Sequence, residues 1–147
     1  MNGKNRGFTL IELIVVILIL GILAAIAAPK FVDLTGQARI AALSGLRAAV
    51  SSASTLANAL QVAQGLTPGA PVTIEGTSVL MTNGYPSQSP GGIDAAVRFD
   101  ATTFQTTGTM TFQVKTAGTP ASCQFVYTAA AATTQPPTIG TATTTGC

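Results

Sequence analysis

The sequence predicts an α+β protein: one long N-terminal helix packed on a small antiparallel β-sheet head. Three observations predict it. An apolar run of 21 residues extends from Phe8 to Ala28 with a single charge, Glu12. From Lys30 to about Gln64, apolar residues recur at spacings of three and four. Near the other end, short segments alternate apolar and polar residues, the period of half-buried strands. At 147 residues there is room for about one domain. The expected divisions are a leader at 1–7, a helix of membrane-spanning length at 8–28, an amphipathic helix at 29–64 and a β-rich head at 65–147.

As a helix, the run FTLIELIVVILILGILAAIAA spans roughly 32 Å at 1.5 Å per residue, enough to cross a bilayer core. A cleavable secretory signal has a shorter apolar stretch with its small-residue cleavage site after it. Here the small residue, Gly7, precedes the stretch and closes the basic leader MNGKNRG. Lys4 and Arg6 hold that leader in the cytoplasm by the positive-inside bias and place the C-terminal bulk outside. On hydropathy alone, a plain single-span anchor reads equally well.

Glu12 separates the two readings. A carboxylate costs roughly 2.5–3.5 kcal/mol at the centre of a spanning helix, somewhat less near an end, and usually has a partner. A cut after Gly7 gives Phe8 a new α-amino group. Phe8 and Glu12 lie four apart on one helical face, so that amine can neutralise the carboxylate within or between chains. The helix N-terminus also favours the negative charge.

The stretch GFTLIELIVVILILGILAAIAAPKF, Gly7 to Phe31, resembles the leader junction and N-terminal helix of type IV pilins. The resemblance covers about the first 55 residues and implies the type IV pilin fold. It implies that Gly7 is the last leader residue, recognised by a membrane prepilin peptidase. Phe8 is then the new N-terminus, methylated by the same enzyme, and Glu12 pairs with the Phe8 amine of a neighbouring subunit. The implied partners are other copies in a homopolymeric filament, an inner-membrane assembly platform with its ATPase, an outer-membrane secretin, and membrane lipid before assembly.

Pro29 lacks a backbone donor and clashes with the preceding turn, and Gly21 is a second weak point. The resemblance implies that the segment between Gly21 and Pro29 loses helicity on assembly; an ordinary membrane-helix kink is the alternative. Beyond it, Phe31, Leu34, Ala38, Ala42, Leu46, Ala49, Ala53, Leu56 and Leu60 form the expected core stripe, with Asp33, Gln37, Arg39 and Arg47 off it. Gly65 and the Thr-Pro-Gly-Ala-Pro run end this helix.

In the head, Val72 to Met81 reads as a hairpin around Gly76, Asn83-Gly84-Tyr85-Pro86 as a loop, and Ile93 to Arg98 as a helical turn. Met110, Phe112 and Val114 mark one strand, Cys123, Phe125 and Tyr127 another, and Ile139 a last short one. Cys123 and Cys147 are the only cysteines. The topology puts both outside the cytoplasm, where a disulfide is the simple reading and two free thiols the alternative. The pair also resembles the C-terminal disulfide-bounded loop of pilins. The Gly146-Cys147 pair together with Asn83-Gly84-Tyr85-Pro86 is most similar to pilins of the mannose-sensitive haemagglutinin (MSHA) type.

Composition narrows the function. There is no His and no Trp, which removes the usual general base and the ordinary His-containing metal sites. Without the first seven residues, five basic groups face five acidic ones, and nothing resembles a nucleic-acid surface. No nucleophile has a base beside it, so the expectation is a structural protein without cofactor or metal. A type II secretion pseudopilin shares the same N-terminus, but those heads often hold calcium with clustered acidic loop residues. Here Glu75, Asp94 and Asp100 are scattered. An electron-transfer filament lacks support: there is no C-x-x-C-H motif, and the long helix carries only two aromatics, Phe8 and Phe31.

Overall fold

The computed structural model describes residues 8–147, with residues 28–33 described by their backbone only. Gly7, Lys4 and Arg6 lie outside the described residues, as do the side chains of Pro29, Phe31 and Asp33. Helix α1 runs Leu10–Ala63 and is helical through Gly21 and Pro29. The chain divides into two compact units, one ending at Gly36 and the other Gln37–Cys147.

Among the described residues, the first unit is a helix with no apolar partner of its own. Leu10–Ala27 has a mean hydropathy of 3.1 and none of it is buried. It is long and apolar enough to cross a membrane.

The second unit is the head with the later part of α1. Hairpin β1 (Val72–Ile74) and β2 (Thr77–Val79) turns at Glu75-Gly76, whose φ values are 48° and 81°. Hairpin β3 (Met81–Thr82) and β4 (Tyr85–Pro86) turns at Asn83-Gly84, with φ of 53° and 88°. Positive φ at both central residues is what a two-residue hairpin turn needs, and Asn-Gly tolerates it best. The expected loop at 83–86 is therefore a tight hairpin. Its Gly84 carbonyl accepts from Asn58 Nδ2 of α1 at 2.7 Å, which leaves no need for a looser connection.

After the single-turn helix α2 (Ile93–Ala96) comes a four-stranded antiparallel sheet. Its strands, in spatial order, are β5 (Phe104–Thr107), β6 (Thr111–Val114), β7 (Gln124–Thr128) and β8 (Thr138–Ile139). The register sets Phe112 opposite Phe125 and Tyr127 opposite Ile139. Phe112 and Phe125 stack with ring centroids 5.1 Å apart, and Phe99 meets Phe112 edge-on at 5.8 Å. Leu43, Leu46 and Val50 of α1 close the core over this sheet with Ile93 and Val97. A second cluster, Ala57, Val72, Val79 and Met81, seats the first hairpin on α1.

The buried face of α1 is rotated from the expected stripe. Leu43, Leu46, Val50, Ser54, Ala57 and Gln61 are buried, whereas Leu34 is 62% and Leu56 51% exposed. Alanine accounts for the difference, because it is apolar enough to extend a stripe and small enough to remain outside at little cost. Polar residues took the inside positions for a separate reason. Gln61 is buried with its Nε2 donating to the Ala70 carbonyl at 2.7 Å, which satisfies a loop carbonyl the strands leave free. The helix ends as expected at Gly65. The Leu66 N–H donates to the Gln61 carbonyl and the Gly65 N–H to that of Val62, both at 3.1 Å.

Tyr127 ties sheet to hairpin. Its hydroxyl donates to the Pro86 carbonyl at 2.7 Å, and burial pushes its pKa up to about 12. The unfolded phenol titrates near 10, so the folded state holds the proton more tightly. That stability is complete below pH ~10 and is lost as pH rises from there through about 12. Tyr127→Phe should cost about 1–2 kcal/mol at neutral pH by stranding the carbonyl. Urea unfolding at pH 7 and pH 11 checks this: the gap between wild type and variant should narrow at the higher pH.

Candidate assembly site at the helix N-terminus

The start of α1 is built by a reciprocal cap. Thr9 precedes the first helical residue, and its carbonyl accepts the first helical hydrogen bond from Leu13 N–H at 3.3 Å. The Thr9 N–H and hydroxyl both donate to Glu12 Oε2 at 2.8 Å, and the Glu12 N–H donates back to Thr9 Oγ at 3.3 Å. This is a capping box: a hydroxyl at the N-cap and a carboxylate three residues later satisfy each other's backbone donors. The expected partners of Glu12 were the Phe8 amine and the helix N-terminus; Thr9 is a further one, and its sequence signal is Thr-x-x-Glu before an apolar run.

Phe8 is 85% exposed. It shares with Ile11, Glu12, Val15 and Val16 a shallow, otherwise apolar hollow of about 320 Å³. The structure therefore brings Phe8 and Glu12 to one place, as the four-residue spacing predicts. Gly21 and Pro29 are not part of it. Among the described residues, a side chain added at Gly21 would meet nothing within 4 Å.

At the other end of the chain, Cys123 and Cys147 form a disulfide with their Cα atoms 4.9 Å apart. Helix arginines hold the segment it closes. Arg39 Nη1 donates to the Cys147 carbonyl at 2.8 Å, and Arg47 reaches the Gly140 and Ile139 carbonyls at 2.9 and 3.3 Å. Both arginines fell off the expected core stripe, and this is their use. Among the described residues, no three His, Cys, Asp or Glu gather as a metal site. The Asp100 carboxylate is already taken by Thr102 and Thr103, whose donated hydrogen bonds, that of the Thr102 hydroxyl foremost, hold its pKa below the usual value.

Comparison with known proteins bears on this end of the chain first. Residues 2–28 match the prokaryotic N-terminal methylation motif. The motif spans Gly7, Phe8, Thr9, Glu12 and the exposed apolar turns that follow. The chain is similar to the type IV narrow pilus major component PilA5 of Thermus thermophilus, at 60% identity over 54 residues, 37% of this chain and 47% of that protein. It is similar to the type IV major pilin protein PilA of Myxococcus xanthus, 55% identical over 38 residues, 26% of this chain and 17% of that one. The type IV major pilin protein PilE1 of Neisseria gonorrhoeae is 55% identical over 40 residues, 27% of this chain and 24% of that one. The chain spans less than half the length of these relatives. No solved structure matches it. The motif match is confined to residues 2–28, and the head's architecture stands on the structure alone.

Proposed function

We propose that the chain is the precursor of a structural subunit of a type IV pilus, cut between Gly7 and Phe8, methylated at Phe8 and polymerised into a surface filament. The observation that carries this is the methylation motif over residues 2–28, on a helix whose segment Leu10–Ala27 is unburied among the described residues. Such a helix needs lipid before assembly and other helices after it. Storage is in the inner membrane with the leader cytoplasmic, and the head faces outward.

A prepilin peptidase and methyltransferase processes the subunit, an ATPase-driven inner-membrane platform assembles it, and a secretin passes the filament outward. Glu12 receives the Phe8 amine of a neighbour, and the segment from Gly21 to Pro29 opens as helices bundle. The role is mechanical rather than catalytic. The relatives reported above are pilus major components, which favours the pilus over the secretion pseudopilus. Gly146-Cys147 and the Asn83-Gly84-Tyr85-Pro86 hairpin support the narrower MSHA-type reading, with attachment to surfaces as the task.

Mass spectrometry of the main subunit in sheared filaments tests the proposal. The subunit should begin at Phe8, carry one added methyl group and be two hydrogens lighter for the disulfide. A filament subunit that retains Lys4 and Arg6 contradicts it.

A further inference from the structure

We infer that Thr9 is a positioning residue for assembly, which divides the work of the Glu12 carboxylate between its two oxygens. Both hydrogen bonds from Thr9, N–H and hydroxyl at 2.8 Å each, end on Oε2. Among the described residues, Oε1 receives none. One oxygen therefore caps the chain's own helix, and the other is held open.

The open oxygen belongs to a carboxylate that shares the shallow hollow with Phe8, Ile11, Val15 and Val16. A carboxylate on an apolar hollow suits a cation joined directly to an apolar side chain. The N-terminal Phe8 of a second copy is such a group: an ammonium, with one methyl or none, one bond from the carbon that carries a benzyl group. The occupant is thus a second copy of this chain, and the inference rests on the filament reading above.

The division has a physical consequence. A free glutamate explores several rotamers, and fixing it on binding costs conformational entropy. Thr9 makes that choice before the neighbour arrives. It also lets Glu12 keep two hydrogen bonds while stored in the membrane, where an unsatisfied carboxylate is most costly. When the amine binds, no cap needs to break, because the ammonium uses the other oxygen.

The test uses the full precursor in cells that assemble filaments, with Thr9→Val, Thr9→Ser and Thr9→Asp. The readout is filament yield per cleaved and methylated subunit, so changed processing does not enter. Thr9→Val removes the hydroxyl at nearly constant shape and should lower the yield about tenfold, the factor carried by one charge-assisted hydrogen bond. Thr9→Ser restores the donor and should restore the yield. Thr9→Asp is the discriminating variant. Aspartate caps helices as well as serine does. As an ionised group, however, it only accepts, and it repels Glu12 instead of holding it. It should therefore stay as poor as Thr9→Val. Yield from Thr9→Val equal to wild type overturns the inference, and so does rescue by Thr9→Asp, which would reduce Thr9 to a helix cap. Wild type without filaments removes the filament reading itself, and this inference with it.

Discussion

Glu12→Leu should leave the subunit inserted and cleaved while reducing filaments by on the order of a hundredfold or more. The change removes the single charge of the 21-residue apolar run, so insertion becomes easier by up to about 3 kcal/mol. A plain membrane anchor tolerates that change or gains from it. A filament subunit does not, because the Phe8 ammonium of each neighbour is then buried among apolar helices without a counter-charge. Removing one partner of a buried pair costs roughly 3–5 kcal/mol, a factor of about a hundred to several thousand in an equilibrium constant. The carboxylate's half of the capping box is lost as well, since both Thr9 donors end on Glu12 Oε2, whereas the backbone N–H of residue 12 still donates to Thr9 Oγ. That loss is smaller, about 1 kcal/mol or less, and acts on helix fraying, because no carboxylate remains at residue 12 for Thr9 to position. Fractionation separates the effects: cleaved protein in the membrane should match wild type, and protein in sheared filaments should not. Co-expression with wild type should recover some variant in filaments, because each variant still donates its amine to a wild-type carboxylate. Wild-type filament yield from Glu12→Leu alone would refute charge pairing as the basis of assembly.

The site was legible in the sequence to the extent that its chemistry is local. Phe8 and Glu12 are four apart across the start of α1, with Phe8 just before the first helical residue, and the structure places them on one hollow. Thr9 is equally local, and its signal is a capping pattern rather than a charge pair. The face of α1 that meets the head was not local. Nine residues from Ala38 to Ala63 are alanine, so two neighbouring stripes look alike from spacing alone. The head decides between them, through Leu43 and Val50 against the sheet and Gln61 against the Ala70 carbonyl. Strand β5 escaped notice for a related reason. Phe104-Gln105-Thr106-Thr107 has a single apolar residue and no alternation, and it is a strand because β6 pairs with it along its whole length. Asn83-Gly84, in contrast, was a strong hairpin signal read too weakly, since the two-residue strands beside it are too short to show a period.

Cys147→Ser should loosen the head far more than its position at the edge of the sheet suggests. The bridge joins residues 24 apart, and closing a loop of that length stabilises by about 3.5 kcal/mol on the chain-entropy model. For a unit of the size of Gln37–Cys147 this corresponds to a fall in Tm of roughly 15 °C. Cys147 is the better position to change. Cys123 is fully buried in the main core, and serine there would add the cost of burying a hydroxyl to that of losing the bridge. Other contacts oppose the loss: β8 pairs with β7, Thr143 exchanges two backbone hydrogen bonds with Gln124, and Arg39 and Arg47 hold three carbonyls of the segment. These act only in the folded state and are worth about 1 kcal/mol each. The bridge acts on the unfolded chain as well, which is why the hydrogen bonds do not replace it. Membrane insertion should be untouched, because Leu10–Ala27 alone sets it. Thermal unfolding and limited proteolysis of wild type with and without reductant, beside Cys147→Ser, measure the effect. Unchanged Tm and protease resistance under reduction would show that the sheet and the two arginines hold the segment unaided.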